Sequence, residues 1–328
     1  SYEFYTKCVL YGDIGFGESY VEGHWHTDNI TEVVSWFILN TRKNSSKALN
    51  AARSVLINSL GTINSIRHKF RSNTIKNSKI NIHEHYDLGN EFYRIFLDET
   101  MTYSCAYFED INQSLNDAQK SKYDILCRKL KIQESDKVLE IGSGWGGFAE
   151  YAATNYGCSV KGITISKEQF GFSNERILKK NLQQKVNFEL IDYRNITGKY
   201  DKIVSIEMME AVGDEFLEDY FKQCDRLLNK DGLLGLQIIT CPDSRYNSLR
   251  KGNDWTQKHI FPGSLLLANN RMAEAMSKVS NLFLHSWEEF SHNYYRTLMK
   301  WHIKFNNSLE TVRSQGFSEE FIRRRNYY

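Results

Sequence analysis

Between Lys137 and Ile239 the sequence alternates short apolar runs with amphipathic stretches, and this alternation constrains the fold more than any other feature. The runs KVLEI (137–141), CSVKGI (158–163), VNFELID (186–192), YDKIVSIEM (200–208) and GLLGLQII (232–239) have the length and apolar content of buried strands. Helical stretches fall between them. One follows the glycine turn to about Tyr156, and one is expected over 214–228. Another opens at Ser166, with Gln169 three residues on as in a capping box. Strands alternating with helices predict an α/β fold, a doubly wound parallel sheet. In such a sheet ligands sit beyond the carboxyl ends of the strands.

The flanking regions read differently. Residues 1–65 form a candidate small domain of their own, in which YGDIGFGESYVEGHW (11–25) predicts turns and short elements. Leu49, Ala52, Leu56, Leu60 and Ile63 then fall at helical spacing. Residues 66–82 are polar, basic and non-periodic, which predicts a linker, and 83–328 would be the catalytic domain. Residues 41–80 hold nine Lys/Arg and no Asp or Glu, either a solvated basic face or a dock for an anionic bilayer. After Pro242 the pattern is mainly helical, with Tyr294, Leu298, Trp301, Phe305, Leu309 and Val312 on one apolar stripe.

Six widely spaced cysteines without a C-x-x-C pair predict reduced thiols in a cytosolic protein, not a disulfide frame or a zinc site. The histidine pairs His24/His26 and His83/His85 lack neighbours at ligand spacing, so no metal is expected. No apolar run approaches the roughly 18 residues of a spanning helix, and no signal peptide is recognisable. The chain is expected to be soluble or peripheral. Nothing resembles a nucleic-acid reading module.

Gly142-Ser143-Gly144-Trp145-Gly146-Gly147 matches G-x-G-x-x-G, which lets a backbone approach a ligand at a helix N-terminus or serves tight packing alone. A nicotinamide site also wants an acid roughly 20 residues on, at the end of the second strand. That place reads Gly162-Ile163-Thr164-Ile165-Ser166. The acids are instead Glu140, within the first strand's end, and Asp192, after the third, an arrangement suited to S-adenosylmethionine. Glu207 and Glu210 follow the fourth strand among methionines, where a carboxylate is expensive to keep charged without a partner. Both can also be read as structural acids at nearby helix N-termini. Tyr294 on its apolar stripe would alone be read as core. Cys105 has no His/Asp arrangement to activate its thiol.

Seven further blocks are familiar: HYDLGNEFY (85–93), MTYSCAYF (101–108), VLEIGSGWGGF (138–148), GITISKEQ (162–169), SIEMMEAVG (205–213), IFPG (260–263) and YYRTLMKW (294–301). They resemble the cyclopropane-fatty-acyl-phospholipid synthase family, related to the mycolic acid cyclopropane synthases. GDIGFGESYVEGHW (12–25) resembles the N-terminal domain of its full-length bacterial members. The family's last strand, beyond the C-terminal helix, has no counterpart in this sequence. The resemblance implies a Rossmann-like class I methyltransferase sheet with helical lid insertions and a small N-terminal α+β domain of lipid-binding type. It implies transfer of a methylene from S-adenosylmethionine to the cis double bond of an unsaturated phospholipid acyl chain. A homodimer in the cytoplasm, peripheral on the inner membrane face, goes with that activity.

By matching positions, the cofactor would be held by Tyr103, Ser104, Gly142, Gly144, Trp145, Thr164, Ile165 and Gln169, with Glu140, and with Asp192 and Tyr193 near the adenine. Trp145 either touches the cofactor or simply packs. The resemblance also implies a bound bicarbonate ion as base, held by Glu210, the backbone at Cys105 and Ile239, and the Tyr294 hydroxyl. No role carries over to Glu207. Two departures stand out. Ala211 replaces a histidine of many members, and Gln237 replaces a histidine that ligates bicarbonate. Subgroups sharing EAVG and this glutamine include enzymes that make methylene-branched chains, so a methyl- or methylene-branched product is the alternative, and a degenerate lipid-binding protein the non-enzymatic one.

Overall fold

The computed structural model of the chain describes residues 1–41 and 88–328. The helical stripe expected over 49–63, the linker at 66–82, nearly all of the basic run 41–80 and the first residues of the HYDLGNEFY block lie outside them. The chain divides into two units.

The larger unit comprises residues 73–247 and 263–308. Its five strands are β1 (Lys137–Ile141), β2 (Ser159–Thr164), β3 (Val186–Leu190), β4 (Tyr200–Ile206) and β5 (Leu228–Gln237). They form one sheet in the order β3-β2-β1-β4-β5, parallel throughout. Each predicted strand is present. β5 starts four residues earlier than its apolar run, because Leu228 already pairs with Tyr200 ahead of a register shift. The helices between strands are Gly147–Tyr156, Lys167–Lys179 and Leu217–Leu227. Beneath β1 and β2 the core gathers Val138, Val160, Phe148, Ala149, Ala152, Ile177 and Phe188. Ser166 caps its helix by accepting from the Gln169 N–H at 3.3 Å. The reciprocal half of the expected capping box is replaced: the Gln169 side chain accepts from Thr164 Oγ1 at 2.9 Å, and the Ser166 N–H turns to Thr164.

Two further helices of this unit matter for the site. Leu115–Lys129, capped by Ser114, buries Leu115, Ala118, Gln119, Lys122, Tyr123 and Cys127 along one face. His292–Asn306 buries Asn293, Thr297, Trp301 and Phe305. Trp301 and Phe305 are buried as the apolar run predicts, but in the first two turns the inward positions fall one residue earlier than that run and are polar. Those polar groups have work: Asn293 Oδ1 accepts from the Phe108 N–H at 2.9 Å, and Thr297 Oγ1 from the Ala106 N–H at 3.0 Å. They supply acceptors to an irregular segment that has no sheet ladder of its own.

The smaller unit comprises residues 1–72, 248–262 and 309–328. It is discontinuous, and draws in two segments that the contiguous division at 65 and 82 assigns elsewhere. The 11–25 stretch, expected as turns, is helical to Val21 in the helix Tyr2–Val21, bent at Gly12 where φ is +59°. Gly17 is explained by packing: a Cβ there would lie 2.5 Å from the Trp255 ring and 2.7 Å from Tyr327. Ile14, Tyr20, Val21, Trp255 and Ile260 form the core. Glu18 accepts from Lys258 at 2.5 Å and contacts His259 at 2.9 Å, and these partners hold its carboxyl down at about 2. The described residues of 1–41 hold two helices, the second being Ile30–Thr41, and no strand.

Candidate active site

β1 and β4 are neighbours, with Glu140 opposite Val204, so the turns leaving their carboxyl ends lie side by side. The strand order reverses here, since the chain adds β2 and β3 on one side of β1 and β4 and β5 on the other. That is the switch point at which open parallel sheets bind ligands. The two turns touch. Gly142 has φ +81°, and a Cβ there would lie 2.7 Å from Met208 Cγ. Glycine is required on both counts. The site therefore has a glycine half, after β1, and an acid half, after β4.

In the glycine half, Glu140 is buried and its Oε2 finds no hydrogen-bond partner among the described residues. Burial raises its pKa well above the ordinary value, against the Ala149 backbone and Lys122, which lower it. Ser143 Oγ is likewise buried without a hydrogen bond. Gly144 and Gly146 also adopt positive φ, at +51° and +81°. Orphaned buried oxygens beside a turn whose glycines Gly142 and Gly144 are half-buried fit a ligand carrying an ammonium and a carboxylate, the amino-acid end of S-adenosylmethionine.

The remaining residues expected at the cofactor are placed as follows. Thr164 and Gln169 are buried and bonded to one another, and Ile165 beside them is half-buried. Asp192 is buried, with both carboxylate oxygens taken by Arg194, at 2.8 and 2.7 Å. Arg194 also lies over the Tyr193 ring, at 5.3 Å, and Tyr193 meets Tyr220 edge-on. Trp145 is buried, donates to Asn90 Oδ1 at 2.6 Å and packs on Tyr93. Tyr103 lies in an aromatic cluster, its ring centroid 5.1 Å from Trp301 and 5.4 Å from Tyr93.

The acid half differs from expectation. Glu210, expected to share in holding an anion with the Ile239 backbone, accepts from the Ile239 N–H at 2.5 Å, and its Oε2 is buried without a hydrogen bond among the described residues. The other expected donors turn to Glu207. Its Oε1 accepts from the Cys105 N–H at 2.8 Å and from Gln237 Nε2 at 2.8 Å, and its Oε2 from the Tyr294 hydroxyl at 3.5 Å. Gln237 Nε2 also donates to the Cys105 carbonyl at 3.0 Å. The groups expected to cradle an anion are thus divided: one backbone N–H serves Glu210, and three donors serve Glu207. Glu207 holds this position with φ +47°, a conformation uncommon for a side-chain-bearing residue and frequent at functional sites.

Electrostatics separates the two acids. Burial, reinforced by the Glu207 charge, pushes the Glu210 carboxyl up to about 8, so it carries a proton at neutral pH. Burial also raises Glu207, but Lys122, the Cys105 N–H, Gln237 and Tyr294 all favour its charged form. The Cys105 thiol is excluded as a nucleophile, since burial and the Glu207 charge push it up to about 12.

Glu207 is the functional candidate that sequence reasoning passed over. The signal was its neighbour: Ile206 pairs with Gln237 across β4 and β5, a register no single sequence displays. Lys122 was also missed, although a lysine on the apolar stripe of Leu115–Lys129 is visible by periodicity.

Comparisons with known proteins place the chain in a family. The family model described as mycolic acid cyclopropane synthetase matches residues 73–328. The cyclopropane-fatty-acyl-phospholipid synthase of Escherichia coli K12 is 33% identical over 338 residues, covering 99% of this chain and 80% of that protein. The tuberculostearic acid methyltransferase UfaA1 of Mycobacterium tuberculosis is 32% identical over 320 residues, covering 95% and 73%. Among solved structures, the mycolic acid cyclopropane synthase CmaA1 complexed with SAH and CTAB superposes with a TM-score of 0.70 at 28% identity, covering 76% of this chain and 90% of that one. The cyclopropane synthase MmaA2 of M. tuberculosis gives 0.69 at 27%, with the same coverage.

Proposed function

The chain belongs to the mycolic acid cyclopropane synthetase family of S-adenosylmethionine-dependent methyltransferases, and on that footing we propose that it adds a methylene across the cis double bond of an unsaturated phospholipid acyl chain. The observation that carries this reading is the gathering of the Cys105 N–H, Gln237 and Tyr294 on the Glu207 carboxylate, next to the glycine turn.

When bound, S-adenosylmethionine supplies an electrophilic methyl group. Glu140, Ser143 and the backbone of Gly142 and Gly144 would hold its amino-acid end, and the aromatic cluster of Tyr93, Tyr103 and Trp301 keeps the neighbourhood apolar. The alkene's π electrons would form the new C–C bond to that methyl as the S–CH3 bond breaks and its electron pair stays with the departing thioether, leaving a carbocation on the acyl chain. Closing the ring requires loss of one proton from the new methyl, and its C–H pair then forms the last ring bond. Glu207 takes that proton. The resemblance called for a bicarbonate ion here. In this chain the donors meant for such an anion already serve a carboxylate, so Glu207 stands in its place and turnover is independent of bicarbonate.

A bilayer-borne substrate accords with two features. Residues 41–80 carry nine basic side chains and no acid, and the helix Ile30–Thr41 turns Trp36 and Leu39 outward, 60% and 67% exposed. No helix among the described residues is long and apolar enough to cross a membrane.

A second reading is a branched product, formed if the proton leaves a neighbouring chain carbon instead. The similarity to a tuberculostearic acid methyltransferase over 95% of the chain favours it. Incubation with unsaturated phospholipid vesicles and methyl-labelled cofactor, followed by NMR of the lipid, separates ring from branch.

A further inference from the structure

Lys122 takes no step in the proposed reaction, yet it is the only lysine or arginine among the described residues that is essentially buried, at 2% exposure. A buried ammonium is expensive to keep unless its surroundings supply negative charge. Its Nζ donates to Ser104 Oγ at 2.6 Å and lies 5.2 Å from the centre of the Tyr123 ring. Ser104 is fixed further by Gln119 Nε2, which donates to its carbonyl at 2.9 Å. The next peptide N–H, that of Cys105, donates to Glu207. The lysine is therefore tied to the segment that grips the acid.

We infer that Lys122 is a positioning residue that acts as the internal counter-charge of Glu207, keeping that carboxylate ionised and its Cys105 donor in place. This role rests on the reading of Glu207 as proton acceptor. The charge balance calls for it. Glu207, the Cys105 thiol, Asp98 and Glu140 are the titratable groups whose charge acts on Lys122, and Glu207 has Glu210 and Tyr294 as its other titratable neighbours. Burial lowers the Lys122 ammonium to about 8 while Glu207 leads the charges that hold it up, so the two groups support each other's ionised forms.

The test measures the carboxyl itself. Full-length protein labelled with 13C at glutamate side-chain carboxyls is titrated by NMR, with Glu207→Gln identifying the Glu207 signal. Two variants separate charge from hydrogen bonding: Lys122→Met removes both, and Lys122→Gln keeps a donor for Ser104 without the charge. Both should raise the Glu207 midpoint by about one pH unit or more, the scale expected for losing a nearby opposite charge. An unmoved midpoint in Lys122→Met overturns the inference. So does a shift in Lys122→Met that Lys122→Gln does not share, which would assign the lysine to the Ser104 bond alone. If Lys122→Met does not fold, the midpoint in Lys122→Gln decides by itself. The titration needs no turnover, so absence of methyl transfer by the unmutated protein would count against the proposed function and not against this result.

Discussion

Gln237 Nε2 lies 2.8 Å from Glu207 Oε1 and 3.0 Å from the Cys105 carbonyl, so one amide joins the last residue of β5 to both the acid turn and the segment that crosses it. A glutamine amide donates but cannot become cationic. It suits a site whose own carboxylate carries the negative charge.

Replacing that carboxylate is the sharpest mutational probe. Glu207→Gln keeps size and hydrogen bonding but removes the proton acceptor, and turnover should fall on the order of 100-fold or more. Affinity for S-adenosylmethionine should stay within a few-fold, because Glu140, Ser143 and the glycine turn are untouched. Calorimetric binding alongside the rate measurement checks both halves.

Glu210 predicts a stability trend with pH. Its ordinary value of 4.5 rises to about 8 in the fold. Between these values the folded protein retains a proton that the unfolded chain has lost, so stability falls as pH rises through this window. Glu210→Gln, neutral at every pH, should flatten that fall and raise the melting temperature near pH 8 by a few degrees. Thermal unfolding of both proteins from pH 5 to 9 measures it; parallel curves would remove the buried-acid explanation.

Cys105→Ala should retain activity within about threefold, since the site uses the backbone N–H and the thiol is pushed up to about 12. Iodoacetamide should leave the native Cys105 thiol unmodified at pH 8. Mass spectrometry of the treated protein and a rate comparison answer both points.

Gly142→Ala should weaken S-adenosylmethionine binding tenfold or more. The added methyl must push Met208 aside, and φ +81° strains any side-chain-bearing residue. Equilibrium binding of the cofactor reads this without a lipid substrate. Unchanged affinity would place the cofactor away from this turn.

The sheet was legible because its signal is local. Apolar runs at Lys137–Ile141 and Tyr200–Ile206, broken by glycine and cap residues, announce parallel strands without any long-range information. The N-terminal helix was not: GDIGFG reads as turn because its glycines look like breakers, whereas Gly17 is there to admit Trp255, some 240 residues away in sequence. The same limit governs the site. Glu210 could be recognised from its block, but Glu207 owes its role to the β4–β5 register and to Cys105, 102 positions earlier. Asn293 and Thr297 likewise sit on a face that periodicity assigns to apolar residues, because their partners are backbone N–H groups of a distant segment.

The most direct test supplies the protein with 13C-methyl-labelled S-adenosylmethionine and unsaturated phospholipid vesicles in carbonate-free buffer, and follows the label in the recovered lipid by NMR. The account predicts label in upfield cyclopropyl signals, at a rate that added bicarbonate leaves unchanged. Label absent from the lipid, or appearing only once bicarbonate is restored, would contradict it.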